Sequence, residues 1–162
     1  MLDRFRKWYD YERDANAKTL VMLDSVPAEN RSDPQYAKAL TKMAHCVVAR
    51  QMWLFRLGVG TAPTALFPEV KSPAEIAAML APVEAAWTAY YQTLTEADLA
   101  REFEYTGWDK KNYRLSIEAL LTQLFGHAWY HRGQIASIVA GLGGKFVDTD
   151  YILWPGAGRV AL

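Results

Sequence analysis

Three histidines, His45, His127 and His131, are the only ones in the sequence, and their placement is where chemistry first becomes visible. His127 and His131 stand four residues apart. On a helix that spacing puts both imidazoles on one face about a turn apart, close enough to share a metal ion at about 2.0 to 2.1 Å from each nitrogen. His45 falls on an inward-facing stripe of a second helix, so a bundle that sets the two helices side by side can bring a third imidazole to the same ion. Three nitrogen ligands leave a coordination position for water or substrate, as catalytic rather than structural metal sites do. A lone HxxxH pair also fits ordinary core or surface histidines. The stripe positions favour ligation, because an imidazole facing an apolar interior needs partners for its polar nitrogens.

The residues missing around the triad narrow that chemistry. No Glu-x-x-His precedes any of the three, so the paired motif of di-iron bundles is lacking and the site reads as mononuclear. The segment His127-Ala128-Trp129-Tyr130-His131 has no glutamate after its first histidine, which removes the general base of HExxH proteases. There is no GxGxxG, GxxxxGK[ST] or GxSxG. Glu12 and Asn16 interrupt an otherwise apolar stripe and read either as groups orienting water or substrate near the metal, one of them a proton acceptor, or as an interhelical hydrogen bond fixing register. Cys46 follows His45 and points about 100° away around the helix, which favours packing over ligation. Tyr130 and Arg132 flank His131 and project elsewhere, towards packing or subunit contact. Trp53, Trp87 and Trp129 read as core or pocket wall.

Four helices can position these groups. Leu2, Phe5, Tyr9, Glu12, Asn16, Thr19, Leu23 and Val26 alternate steps of three and four, one face of a first helix that Pro27 closes. Asp33 caps a second helix with Pro34 at its first position, and Thr41, His45, Val48, Met52 and Phe55 form its expected inward stripe up to Gly58. Gly58 to Lys71, with two glycines and two prolines, is longer than a tight helix hairpin needs and reads as a crossover loop. Ser72-Pro73-Ala74-Glu75 combines a capping box with proline at the first helical position. The third helix buries Ile76, Leu80, Val83, Trp87, Tyr90 and Leu94, with a kink or short break expected at Pro82. Glu102 to Thr106 alternates polar and bulky residues, then Gly107 to Asn112 is turn-like before Tyr113-Arg114-Leu115, which fits a small β-hairpin or an irregular excursion. Ser116 caps the last helix, whose stripe Leu120, Leu124, His127, His131, Ile135, Ile138 and Leu142 runs to a glycine-rich end. The tail around Asp148, Asp150, Tyr151 and Trp154 is too aromatic to be inert.

Composition sets the outer bounds. A chain of 162 residues at 51% hydrophobic suits a single helical-bundle domain over 1–162. Lys+Arg and Asp+Glu both number 18, so no basic excess favours nucleic acid or an anionic membrane surface. Near-zero net charge permits self-association. The charged start, the lack of an apolar stretch near the length of a membrane span, and a single cysteine together point to the cytoplasm.

Several motifs resemble one family. Tyr11 to Asn16, reading YERDAN, resembles a first-helix signature ending in Ala-Asn; His45 with Trp53 resembles a second-helix ligand followed by tryptophan. His127-Ala-Trp-Tyr-His131-Arg-Gly-Gln134-Ile resembles an HxxxHRGQI signature, and Thr149 to Trp154 resembles a common ending. All are features of the DinB, or YfiT-like, metalloenzymes, and the resemblance covers nearly the whole chain. It implies an all-α four-helix bundle with a long second connection, often a homodimer, holding zinc, nickel or another divalent ion through His45, His127 and His131. It also implies kinship with transferases and isomerases that use a low-molecular-weight thiol. Arg13-Asp14 stands where the family usually has tryptophan before Ala-Asn.

The reading that follows is a mononuclear metalloprotein acting on a small molecule, a metal-dependent, thiol-dependent transferase that activates a thiol as thiolate. The rival is a metal-stabilised binding or stress-response protein without turnover, and a metal-dependent hydrolase ranks third for want of a general base. Three imidazoles suit Zn, Ni, Fe, Co or Cu, with zinc favoured by abundance.

Overall fold

The computed structural model describes residues 1–160. Its four long helices are α1 (Leu2–Asp24), α2 (Pro34–Arg56), α3 (Pro73–Thr93) and α4 (Ile117–Gly141), and a two-stranded antiparallel sheet, β1 (Glu102–Thr106) with β2 (Asn112–Ser116), precedes α4. The helix starts follow from local chemistry. Asp33, Ser72 and Ser116 each accept a hydrogen bond from a free first-turn N–H, those of Gln35, Glu75 and Ala119, and Pro34 and Pro73 occupy positions where a missing donor costs nothing. The Glu75 carboxylate accepts from Lys71 N, one residue before the usual capping-box partner. α3 runs unbroken through Pro82. The proline lies on the exposed face, where the carbonyl it leaves free, that of Ala78, can meet water.

Helix directions follow from the cross-helix partners. Tyr9 meets Tyr91 and Glu84 while Leu2 meets Glu96, so α1 and α3 are antiparallel. Lys42 meets Gln134 and Arg50 faces Phe125, so α2 and α4 are antiparallel. Phe5 stacks on Phe125 and Asn16 meets Arg132, so α1 and α4 are parallel. Together these make α2 and α3 parallel neighbours, while α1 and α2 touch little and stand diagonally. Parallel neighbours need a connection that returns along the bundle. α2 is about 34 Å long at 1.5 Å per residue, and the segment from 57 to 72 spans about 53 Å fully extended. The long connection therefore has length to cross back, and its course takes it past the middle of α2, where His45 sits.

The core gathers Leu2, Phe5, Met22 and Leu23 of α1 with Ile76 and Trp87 of α3 and Leu120, Leu121, Phe125 and Ile135 of α4. On α2 the buried face is wider than the expected stripe. His45 and Val48 of that stripe are buried, and so are Tyr36, Leu40, Met43, Val47, Arg50 and Leu54, whereas Thr41 and Met52 are half-buried and Phe55 is exposed. The added flank contains Arg50, whose charge makes it look like a surface row. No helix among the described residues is long and apolar enough to cross a membrane.

Candidate metal centre

The antiparallel pairing of α2 with α4 brings His45 opposite the turn that carries His127 and His131. Ring centroids lie 4.5 Å apart for His127 and His131, 5.0 Å for His45 and His127, and 5.1 Å for His45 and His131. One donor atom from each ring lies within 4.8 Å of the others. Two nitrogens sharing an ion at about 2.1 Å stand no more than about 4.2 Å apart, so a small side-chain adjustment closes the set.

Backbone and side-chain partners orient two of the rings from outside. Nδ1 of His45 donates to the Leu66 carbonyl at 2.8 Å, and Phe67 stacks on the same ring at 4.3 Å and 14°. The crossover segment thus grips His45 from behind and leaves Nε2 with its lone pair free. Nδ1 of His131 donates to Oε1 of Gln134 at 3.1 Å, and the same oxygen accepts from the Lys42 ammonium at 2.7 Å. That Nδ1–H···O pattern is the one that fixes tautomer and ring orientation for Nε2 ligation.

His127 carries the clearest demand. Its Nε2 is buried and has no hydrogen-bond partner among the described residues. An unpaired buried polar nitrogen costs about 1 to 3 kcal/mol, which ligation to an ion would relieve. Burial, then the neighbouring His131 and His45, then Arg50, hold the His127 pKa down to about 4. Burial also lowers that of His131, against the raising effect of Gln134. Both rings are therefore neutral near pH 7, the state a metal requires of imidazole. The donor set fits a divalent ion.

The other sequence-selected residues lie around this cluster in different roles. Both carboxylate oxygens of Glu12 accept from the Arg50 guanidinium, an ion pair buried at 2% and 4% exposure. Arg50 is further packed against Tyr9, Trp87 and Phe125, and its backbone carbonyl accepts from the Trp87 indole. Asn16 donates to Glu84 of α3 and its oxygen lies 3.4 Å from Arg132 of α4. Glu12 and Asn16 thus form polar bridges between helices and are not among the clustered donors. Cys46 is buried, and burial pushes its thiol up to about 12, so it stays protonated and apart from the site. Tyr130 is exposed, Arg132 is buried, Trp87 is core, and Trp53 packs against Phe103 and Tyr105 of the hairpin.

Sequence reasoning passed over Arg50, Lys42 and the loop residues Leu66 and Phe67. Lys42 had a usable signal, since it stands one turn before His45, and Gln134 likewise stands three residues after His131. A backbone carbonyl from a distant loop leaves no mark in a sequence.

Comparison with known proteins gives a family and a fold. A family model described as the DinB superfamily matches residues 39–135, more than half of the chain, a span that includes all three histidines. A crystal structure of a DinB-like protein from Bacillus cereus ATCC 10987 is similar, with a TM-score of 0.67 and 24% identity, covering 89% of this chain and 94% of that one, which supports the fold. No curated protein matches the sequence.

Proposed function

Because this chain belongs to the DinB superfamily, we propose that it binds one divalent metal ion through His45, His127 and His131 and uses that centre for thiol-dependent group transfer to a small molecule. The observation that carries the metal reading is the buried Nε2 of His127, partnerless yet facing two rings whose outer nitrogens are already engaged. A bound ion would act as a Lewis acid at its remaining coordination position, lowering the pKa of a thiol placed there.

The chain's own residues supply orientation and shielding. Leu66 and Gln134 hold the His45 and His131 rings by Nδ1, so each Nε2 faces inward without a rotamer search. Phe67 stacks on the His45 ring and, with Leu66, keeps water from its outer face. Arg50 stands on the core side of His127 with its charge matched by Glu12, so the pair forms a rigid, net-neutral wall behind that ring. Glu12, with both oxygens committed to Arg50, serves to hold that charge in place and is not a proton acceptor in this reading.

A metal-stabilised binding protein without turnover is the second reading, favoured by the crossover segment lying directly against His45 and narrowing access. Zinc is the expected ion, with nickel, iron, cobalt or copper able to take the same donors. Zinc-loaded protein is incubated with cysteine, glutathione or other small thiols and an electrophile such as a chlorodinitrobenzene, with His45→Ala as control. Turnover lost in the variant supports transfer; absence of turnover across the panel supports the second reading.

A further inference from the structure

Across α4 from the histidines lies a cavity of about 620 Å³, formed between α1, α4 and the segment 146–151. Arg132 follows His131 directly but is turned about 100° around the helix, so it lines this other side. Its guanidinium has no carboxylate partner among the described residues. The side chain is 2% exposed, Nη1 makes a single long contact of 3.4 Å to Asn16, and Nε and Nη2 have no hydrogen-bond partner among the described residues. A buried, unpaired cation is unfavourable by several kcal/mol, and a carboxylate is the acceptor that matches its planar fork.

The walls carry complementary chemistry. Tyr11 lies under the guanidinium at 5.6 Å and contacts Trp129 and Tyr151 edge-on at 6.5 and 5.2 Å, so the cavity has an aromatic lining. The Tyr11 hydroxyl donates to the Thr149 carbonyl and ties the segment 146–151 to α1. At the rim, Asp148 accepts from Asp150 N and Asp150 from Ile152 N, each through one oxygen, leaving the other uncommitted. A simple anion entering here would meet two carboxylates, and a simple cation would meet Arg132. A molecule bearing both charges satisfies all three groups.

We propose that this cavity binds a small zwitterion of the amino-acid type, its carboxylate on Arg132, its ammonium at Asp148 and Asp150, and its apolar body against Trp129, Tyr11 and Tyr151. The site is separate from the histidine cluster and does not depend on the metal reading.

The test is isothermal titration calorimetry of the full chain with L-phenylalanine, L-tyrosine, L-leucine and L-methionine at millimolar concentration. For phenylalanine, 3-phenylpropionate removes the ammonium and phenethylamine removes the carboxylate. At least one amino acid binds saturably, and loss of either charge weakens the phenylalanine pair by about tenfold, one charge-assisted contact. Arg132→Met brings the amino acid down to the level of the amine. Because a buried substitution can disturb folding, Asp148→Asn combined with Asp150→Asn on the rim gives a second readout, in which the amino acid falls to the level of the acid. No saturable heat from any of the four amino acids overturns the proposal. So does equal binding of phenylalanine and its two truncated forms, or affinity unchanged in both variants.

Discussion

Replacing Gln134 by leucine removes one oxygen that serves two partners, the Nδ1–H of His131 at 3.1 Å and the Lys42 ammonium at 2.7 Å. The ring of His131 keeps its backbone position but loses the contact that fixes its tautomer and its rotation about the side chain. Removing an outer partner of a metal-bound histidine lowers metal affinity by about 10- to 100-fold. That corresponds to about 1.4 to 2.7 kcal/mol of binding free energy. The Lys42 ammonium loses its acceptor as well, but it is half-buried and can turn to water, so the fold stays intact. Competition against a zinc-chelating dye gives the affinity directly, and circular dichroism checks the fold. Lys42→Met is the control, because it leaves the His131–Gln134 bond in place and changes affinity less than Gln134→Leu. Gln134→Leu protein with wild-type zinc affinity and a native helical spectrum would refute the claim that this amide orients the ring.

Two further outcomes follow from the buried charges. Glu12→Gln or Arg50→Met leaves one ion of a buried pair alone, which destabilises folding by about 3 to 5 kcal/mol, while the double variant Glu12→Met with Arg50→Met recovers much of that loss, as urea denaturation of each protein will show. The metal-free protein loses stability as pH falls: the unfolded His127 takes its proton near 6.5 and the folded ring only near 4, so between these values the unfolded state holds more protons and stability rises with pH, then levels above about 6.5. Allowing for the solvent screening of a half-buried ring, the span amounts to about 1 to 2 kcal/mol. His127→Gln should flatten that slope in a pH series of thermal melts.

Much of this architecture is legible from residues alone because its signals are local. The caps at Asp33, Ser72 and Ser116 and the alternating strand 102–106 are set by neighbours within a few positions, and each element begins or pairs where those residues place it. The histidine cluster is legible for a different reason: a four-residue spacing on one helix and an inward position on another leave few ways for the rings to avoid meeting. What stays hidden is long-range. The buried face of α2 extends past the expected stripe to Arg50, whose pairing with Glu12 thirty-eight residues away buries a residue type that otherwise stays at the surface. The Leu66 carbonyl on His45 depends on the path of the crossover segment, and every residue type at 66 would carry the same carbonyl, so the contact leaves no signal in the sequence. Pro82 shows the limit of a local rule, since its exposed position lets the helix continue.

Metal stoichiometry decides whether His45, His127 and His131 hold one divalent ion. Purified protein is stripped with a chelator, reloaded with zinc, passed over a desalting column and measured for metal by inductively coupled plasma mass spectrometry, alongside the three single alanine variants. One equivalent is expected for the native sequence, with loss of stoichiometric metal in every variant. A full equivalent retained by folded His127→Ala protein would contradict it.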